Sequence, residues 1–424
     1  MRRLWVSLLV YGCILVLSTP VPASEQTPEA RIKALEDVIT GLSFYGSLRF
    51  HTFYVESDRN LSSDSDAVTK LNGSTPTITL PDQQTTEWGL ASNSRFGVDF
   101  SRGEGIGGKV EIGFRGENTV SLREGYGTYS LDDVVFLFGQ DYTPLSDWEY
   151  SNQVFSADNN LLGWGILDVE GKRLPQVKMT WKGLQIALVQ NKVASALNLV
   201  SSSTAPSPAL PQLAATNPKE EVLFPVLQAR YGLKTDLFFG DIFGGYTTYK
   251  VKADSNDIDK AVTGYAYGIG GGVTPQPVYA KAMIWRAQNG RQMSLHQAYS
   301  ATSAQDILTN TYLMGAMFDT DYSLIDETDM GYALIGGVKI VTVAIEAGYG
   351  YVSADKDGNS LGLNAKNKAR SYYLNANIPI AQTYLKTVSF FVVPEVGLFD
   401  YMQDFSDNKQ GKISYAGAKW QINF

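Results

Sequence analysis

The sequence predicts an all-β fold: a transmembrane antiparallel β-barrel of about 16 strands, with an inward-folded constriction loop and a short N-terminal helix. Three observations carry this. Apolar and polar residues alternate with period two in segment after segment, short turns alternate with long polar loops, and the chain ends on a two-faced strand. In that strand Ala416, Ala418, Trp420, Ile422 and Phe424 share one face, and Tyr415, Gly417, Lys419, Gln421 and Asn423 the other. Such an edge invites aggregation unless it closes a cylinder with lipid outside and water inside.

Arg2 and Arg3 precede an apolar run from Leu4 to Leu17, and Val21-Pro22-Ala23 supplies small residues for a signal peptidase, so residues 1–23 read as an export signal. The run falls short of the ~20 residues a membrane helix needs, and no later stretch approaches that length. Cys13, the one cysteine, lies inside it; a lipid anchor there would need cleavage beside Tyr11, which fits poorly. Cleavage after Ala23 leaves 424 − 23 = 401 residues without cysteine, hence no disulfide or thiol chemistry. Taking Arg2 and Arg3 from 35 basic residues leaves 33 against 43 acidic ones. A charge of −10 argues against nucleic acid as a partner.

Residues 24–43 read as a helix. Thr27-Pro28-Glu29 supplies a cap, a proline at the first helical position and an acidic first turn. Ile32, Leu35, Ile39 and Leu42 follow at heptad spacing, which fits either an amphipathic helix against the barrel mouth or a small coiled coil joining copies of the chain.

The barrel occupies 44–424. Strands are expected near residues 44, 88, 109, 124, 134, 174, 184, 222, 237, 262, 278, 329, 342, 368, 385 and 412. An even number returns both ends to one side of the membrane. Arg102–Gly107, Asp132-Asp133, Lys182-Gly183, Thr274-Pro275-Gln276 and Ala381-Gln382-Thr383 are the tight turns. Leu61–Thr86, Lys192–Glu221, Gln288–Thr328 and Ala354–Lys368 are the long loops. The 24 tyrosines suit the membrane interfaces and the 40 glycines a curved sheet. Two stretches are ambiguous: Tyr312–Phe318 has the composition of a further strand, and Leu237–Tyr249 does not alternate cleanly.

A barrel this wide cannot be filled by its own side chains, so something else must narrow it. The segment 141–172 is the candidate. It carries Asp141, Asp147, Glu149, Asp158 and Asp168 beside Leu161, Leu162, Trp164, Ile166 and Leu167, more apolar bulk than a surface loop needs. Tucked inward, the apolar residues pack on the wall while the carboxylates face the pore. Arg49, Arg95 and Arg115 lie inward on three successive strands. Because loop carboxylates and wall arginines oppose each other, net charge does not fix ion preference; the reading leans to cations.

The spacing Gly417, Trp420, Ile422, Phe424 resembles the C-terminal assembly signal of Gram-negative outer-membrane β-barrels. Val135-Phe136-Leu137-Phe138-Gly139-Gln140-Asp141-Tyr142-Thr143-Pro144 resembles the strand entering the third loop of the general porins. The resemblance implies a homotrimer of sixteen-stranded barrels in the outer membrane, in contact with its lipid and lipopolysaccharide, passing small hydrophilic solutes and ions by passive diffusion. It further implies a third loop whose acidic side chains face a ladder of arginines, onto which Arg49, Arg95 and Arg115 map. The N-terminal heptads depart from that family's pattern.

Other classes leave weaker traces. His51 and His296 are the only histidines, and neither has a recognisable Ser or Asp partner, so no enzyme is expected. Asp355-Lys356-Asp357-Gly358-Asn359-Ser360 opens like a calcium loop, but Lys366 stands where the bidentate glutamate belongs, so neither a metal nor a cofactor is expected. Phe391, Phe399 and Tyr401, if inward, would form an aromatic track for a sugar or carboxylate facilitator with a larger, eighteen-stranded barrel. A plugged adhesive barrel is the third alternative.

Overall fold

The computed structural model describes residues 41–58, 83–102, 105–115, 119–146, 148–169, 172–191, 219–222, 224–253, 258–296, 316–318, 323–356, 366–382, 388–403, 409 and 411–424. The export signal and nearly all of the expected N-terminal helix lie outside them. Leu42 and Ser43, placed at the end of that helix, instead begin the first strand, because Leu42 pairs with Phe100 in the ladder.

Eighteen strands form one antiparallel sheet. Two pairs of them are halves of interrupted staves: 83–90 and 95–102 share one side of the first strand, and 219–222 and 226–234 share one side of a later one. That leaves 18 − 2 = 16 staves. In order they are β1 (Leu42–Ser57), β2 (Gln83–Leu90 with Arg95–Arg102), β3 (Ile106–Arg115), β4 (Thr119–Leu131), β5 (Val134–Tyr142), β6 (Arg173–Trp181), β7 (Leu184–Val189) and β8 (Lys219–Val222 with Val226–Lys234). The second half comprises β9 (Phe238–Ala253), β10 (Ile258–Val273), β11 (Val278–Gln288), β12 (Glu327–Ile340), β13 (Val343–Lys356), β14 (Asn367–Gln382), β15 (Ser389–Gln403) and β16 (Gly411–Asn423). Each neighbours the next, and all sixteen expected strands are present. The larger eighteen-stranded alternative is thereby corrected.

β1 and β16 close the cylinder, from Ser47 opposite Asn423 to Ser57 opposite Ile413. Phe424 extends the seam, exchanging backbone hydrogen bonds with Gly46 at 2.7 and 3.1 Å. Its ring lies over Gly46, where a β-carbon would meet it at 2.4 Å, so a larger residue there would push the ring aside.

Outward positions are apolar and exposed, as Phe44, Trp88, Ile269, Leu334, Val396 and Trp420 are. Phe44 stacks on Phe96 and Phe50 meets Trp88 edge-on, across neighbouring staves of this outer face. No helix among the described residues is long and apolar enough to cross a membrane; the strands supply that face. The buried residues lie inside the cylinder, and many belong to the segment between β5 and β6.

That segment explains the ambiguous strand. β9 turns Phe239 and Phe243 inward, and these meet Tyr150 at 5.3 Å and Trp148 at 4.7 Å, so both faces of β9 are apolar and the alternation vanishes. The other ambiguous stretch contributes no stave: Met317–Phe318 pairs with Leu324–Ile325 as a separate ribbon, while 312–315 lie outside the described residues.

Candidate functional site

The segment from Thr143 to Lys172 runs through the lumen. Leu145 is fully buried, and its N–H reaches Gln228 on β8. The Tyr150 hydroxyl donates to Asp241 on β9 at 2.7 Å. Two wall carboxylates then grip the loop backbone. Glu346 on β13 accepts from the Asn152 N–H and Nδ2, both at 2.7 Å, and from the Tyr373 hydroxyl at 2.6 Å. Glu395 on β15 accepts from the N–H groups of Val154 and Phe155 at 2.7 and 2.9 Å. Charge-assisted bonds of this kind are about twice as strong as neutral ones, and here they satisfy backbone groups away from water.

Aromatic packing continues the path. Phe155 stacks on Tyr415 at 4.0 Å, and Trp164 meets Phe399 at 4.4 Å and Tyr401 at 5.0 Å. Burying side chains of this size contributes roughly 2 kcal/mol each. The Trp285 indole donates to the Gly165 carbonyl at 2.8 Å. At Gly350 on β13 a β-carbon would stand 1.9 Å from the Trp164 carbonyl oxygen, so loop and wall meet backbone to backbone. Asp158 (φ 60) and Leu161 (φ 57) occupy the left-handed region, a local cost that the docking contacts hold in place.

Asp158, on the short turn Phe155–Asp158, pairs with Lys419 at 2.9 Å and with Arg49, and accepts from Asn93 Nδ2 at 2.5 Å. Burial pushes its carboxyl up, but Lys419 and Arg49 outweigh that and hold it at about 2. A second inward segment secures the far end of the loop. Met293 and Leu295 join the core, and Leu295–His296 pairs with Asp168–Val169.

The expected site residues separate into groups. Asp141 belongs to the wall rather than the loop: it lies on β5 and binds Lys178 at 2.5 Å. Asp147 lies outside the described residues. Glu149 is exposed, and Asp158 points at wall cations instead of open water. Asp168 lies in the two-residue ribbon whose backbone pairs with Leu295–His296, and its carboxylate lies within electrostatic reach of Lys172. Arg49 and Arg95 are inward as expected. Arg115 holds the same register as inward Glu111, but its side chain is not described.

Sequence alternation missed Arg123. A bulge opposite Glu111 and Ile112 leaves Arg123 without a partner on β3, so both it and Glu124 turn inward. Arg123 binds Glu111 at 2.5 Å, while Arg95 lies 3.4 Å from the same carboxylate and the Tyr45 hydroxyl donates to it at 2.8 Å. Arg49 lies within electrostatic reach of Arg95 and Arg123. Lys109 pairs with Glu124 at 3.0 Å. Among the described residues, the loop's hydrogen bonds and ion pairs run to β1, to Asn93, to Leu295–His296 and to strands between β8 and β16, while β2–β6 carry this charged network. Below the loop, toward the tight turns, a chamber of about 500 Å³ is lined by Arg49, Glu149, Asp158, Lys281, Glu346 and Lys419 among others. Phe399 and Tyr401 do face inward, but Trp164 covers them, so they seat the loop rather than form an open track.

No protein-family profile matches the sequence, and no curated protein is significantly similar to it. Solved structures do match. The outer membrane channel DcaP of Acinetobacter baumannii superposes with a TM-score of 0.58 at 19% identity, over 90% of this chain and 97% of that one. The trimer form of OmpT, an outer membrane protein of Vibrio cholerae, gives 0.51 at 14% identity over 90% and 99%. The anion-selective porin from Comamonas acidovorans gives 0.50 at 10% identity over 90% and 99%. The chain therefore has the fold of a porin-type β-barrel. Its closed cylinder with an apolar outer belt is built for a bilayer, and the matched folds are those of Gram-negative outer-membrane proteins.

Proposed function

We propose that this protein is an outer-membrane channel through which small hydrophilic solutes and ions diffuse passively, with the 143–172 loop setting the constriction. The observation that carries the reading is the docking of that loop across the lumen opposite the charged wall of β2–β6. A loop gripped by Glu346, Glu395, Lys419 and Arg49 narrows the pore in a fixed way, and the facing wall supplies the field that solutes meet. Around the loop, Arg49, Arg95, Arg123, Lys281 and Lys419 face the carboxylates of Glu111, Glu149, Asp158, Glu346 and Glu395, five cations against five. This balance leaves ion preference to where in the constriction each charge stands, and not to their number.

The exposed aromatic face at Phe44 and Trp88 suits contact with lipid, lipopolysaccharide or further copies, and trimeric assembly follows by analogy with the matched trimer. Planar-bilayer conductance of the purified native oligomer tests the reading. Ohmic current rising in three equal steps is expected; an absence of conductance would sink it. A facilitator for one solute class is the second reading, supported by the chamber below the loop. It requires current blocked saturably by that solute.

A further inference from the structure

The chamber below the loop is walled by paired charges and unpaired amides. Its volume of about 500 Å³ falls within the ~300–1,000 Å³ of small-molecule sites. Three cations and three carboxylates line it. Arg49 and Lys419 hold Asp158, and Lys281 lies 3.8 Å from Glu346, which also accepts the Tyr279 hydroxyl at 2.9 Å. Glu149, the third acid, is exposed. The charges sum to zero, so the space offers an ion no net attraction to offset its lost hydration.

The groups left unbonded are neutral. Among the described residues, the side-chain amides of Asn160 and Asn377 make no hydrogen bond. Asn375 commits its N–H groups to the Asn152 carbonyl at 2.8 Å and to Glu395 at 2.9 Å, and Gln421 donates to Asn423 at 2.8 Å, leaving the carbonyl oxygens of both amides to accept. Trp148 is only 6% exposed, yet its indole N–H has no partner among the described residues, an orphan that a bound acceptor would satisfy. Phe391, opposite Gln421 in the ladder, also lines the chamber, and Ala344, opposite Asn377, keeps its bulk out of the space.

Hydroxyl groups both donate and accept, and a carboxamide answers them in both senses. A sugar ring adds a face of C–H bonds that buries well against an aromatic ring. Asn377 on β14 and Gln421 on β16 lie two staves apart, roughly 10 Å, the reach of one sugar ring with its hydroxyls.

We propose that the chamber on the turn side of the loop binds a neutral, polyhydroxylated solute, one sugar ring at a time, with Trp148 Nε1, Asn160 and Asn377 bonding its hydroxyls and Phe391 against its C–H face. Such a site gives the facilitator reading its substrate class, and depends on that reading for the solute's route through the lumen.

The test uses the purified native oligomer in detergent, titrated with glucose, galactose and xylose, and with gluconate as the charged counterpart of glucose, binding being read by ligand-observed saturation-transfer NMR. At least one of the three sugars is expected to bind saturably and about ten-fold more tightly than gluconate, whose carboxylate finds no free cation. Asn377→Leu and Trp148→Phe, the second keeping a ring on Phe243, are each expected to weaken that sugar about three- to ten-fold, the loss of one hydrogen bond. Absence of saturable binding by all three sugars, or gluconate binding as tightly, overturns the proposal even if neither variant assembles. Assembled variants that both bind sugar as the wild type does also overturn it. Bilayer recordings on the same preparation separate the two readings: conduction without sugar binding removes the site and leaves the channel, whereas sugar binding without conduction upholds the site and removes the channel.

Discussion

Asp158, in the loop between β5 and β6, meets Lys419 of β16 at 2.9 Å, joining the middle of the chain to its closing strand. Removing the charge strands Lys419 and Arg49 in a mostly buried setting, which costs about 3 kcal/mol of loop docking. Asp158→Asn should therefore raise single-channel conductance and shift the reversal potential toward anions. An unchanged conductance would show that the loop is held without this pair.

The pH dependence of the same contact has a definite sign. Asp158 titrates at about 2 when docked, below the ~3.9 of a free carboxyl, so its contribution is complete above about pH 4 and is lost as pH falls through about 2. Conductance should stay constant from pH 8 to pH 4 and grow, with added open-channel noise, between pH 3 and pH 2. Bilayer recordings at stepped pH check this.

Gly350→Ala tests the backbone seat. A methyl group there collides with the Trp164 carbonyl, so the loop must shift while β13 keeps its ladder. Wider conductance with unaltered heat-modifiable gel mobility is the expected result; loss of the folded band would place Gly350 in barrel assembly instead.

Glu111→Gln removes the carboxylate shared by Arg95 and Arg123. The anion-to-cation permeability ratio should rise about two- to five-fold at low salt and much less at high salt. Reversal potentials across potassium chloride gradients measure it.

Deleting Phe424 removes the seam contact with Gly46 and an outward aromatic ring. Assembly into the outer membrane should fall sharply, while molecules that do insert should conduct normally. Normal insertion with altered current would contradict this.

The barrel was legible because its signal is repetitive: sixteen staves, each alternating, each bounded by a turn or a loop. The exceptions have physical causes. β9 lost its alternation where Trp148 and Tyr150 of the loop made its inner face apolar. The inward loop was legible from its surplus of apolar bulk, but the destinations of its charges were not. Asp158 reads as a pore carboxylate until Lys419, on a distant strand, is seen opposite it. Glu346 and Glu395 gave a faint sign, acids flanked by apolar residues within β13 and β15, but which backbone groups they hold depends on the loop's path. Arg123 was hidden because a bulge shifts parity, and no local pattern marks where a bulge falls.

The loop's anchors also constrain the order of events in time. Val154 and Glu395 are 241 positions apart in the chain, and Asp158 and Lys419 are 261 apart. Contacts of such long range form slowly unless something else first brings their ends together. Here that something is the cylinder, because β13, β15 and β16 must be in place before the loop has a surface to settle on. The inward loop is therefore expected to be the last part of the molecule to take shape, cast against a wall that has already closed.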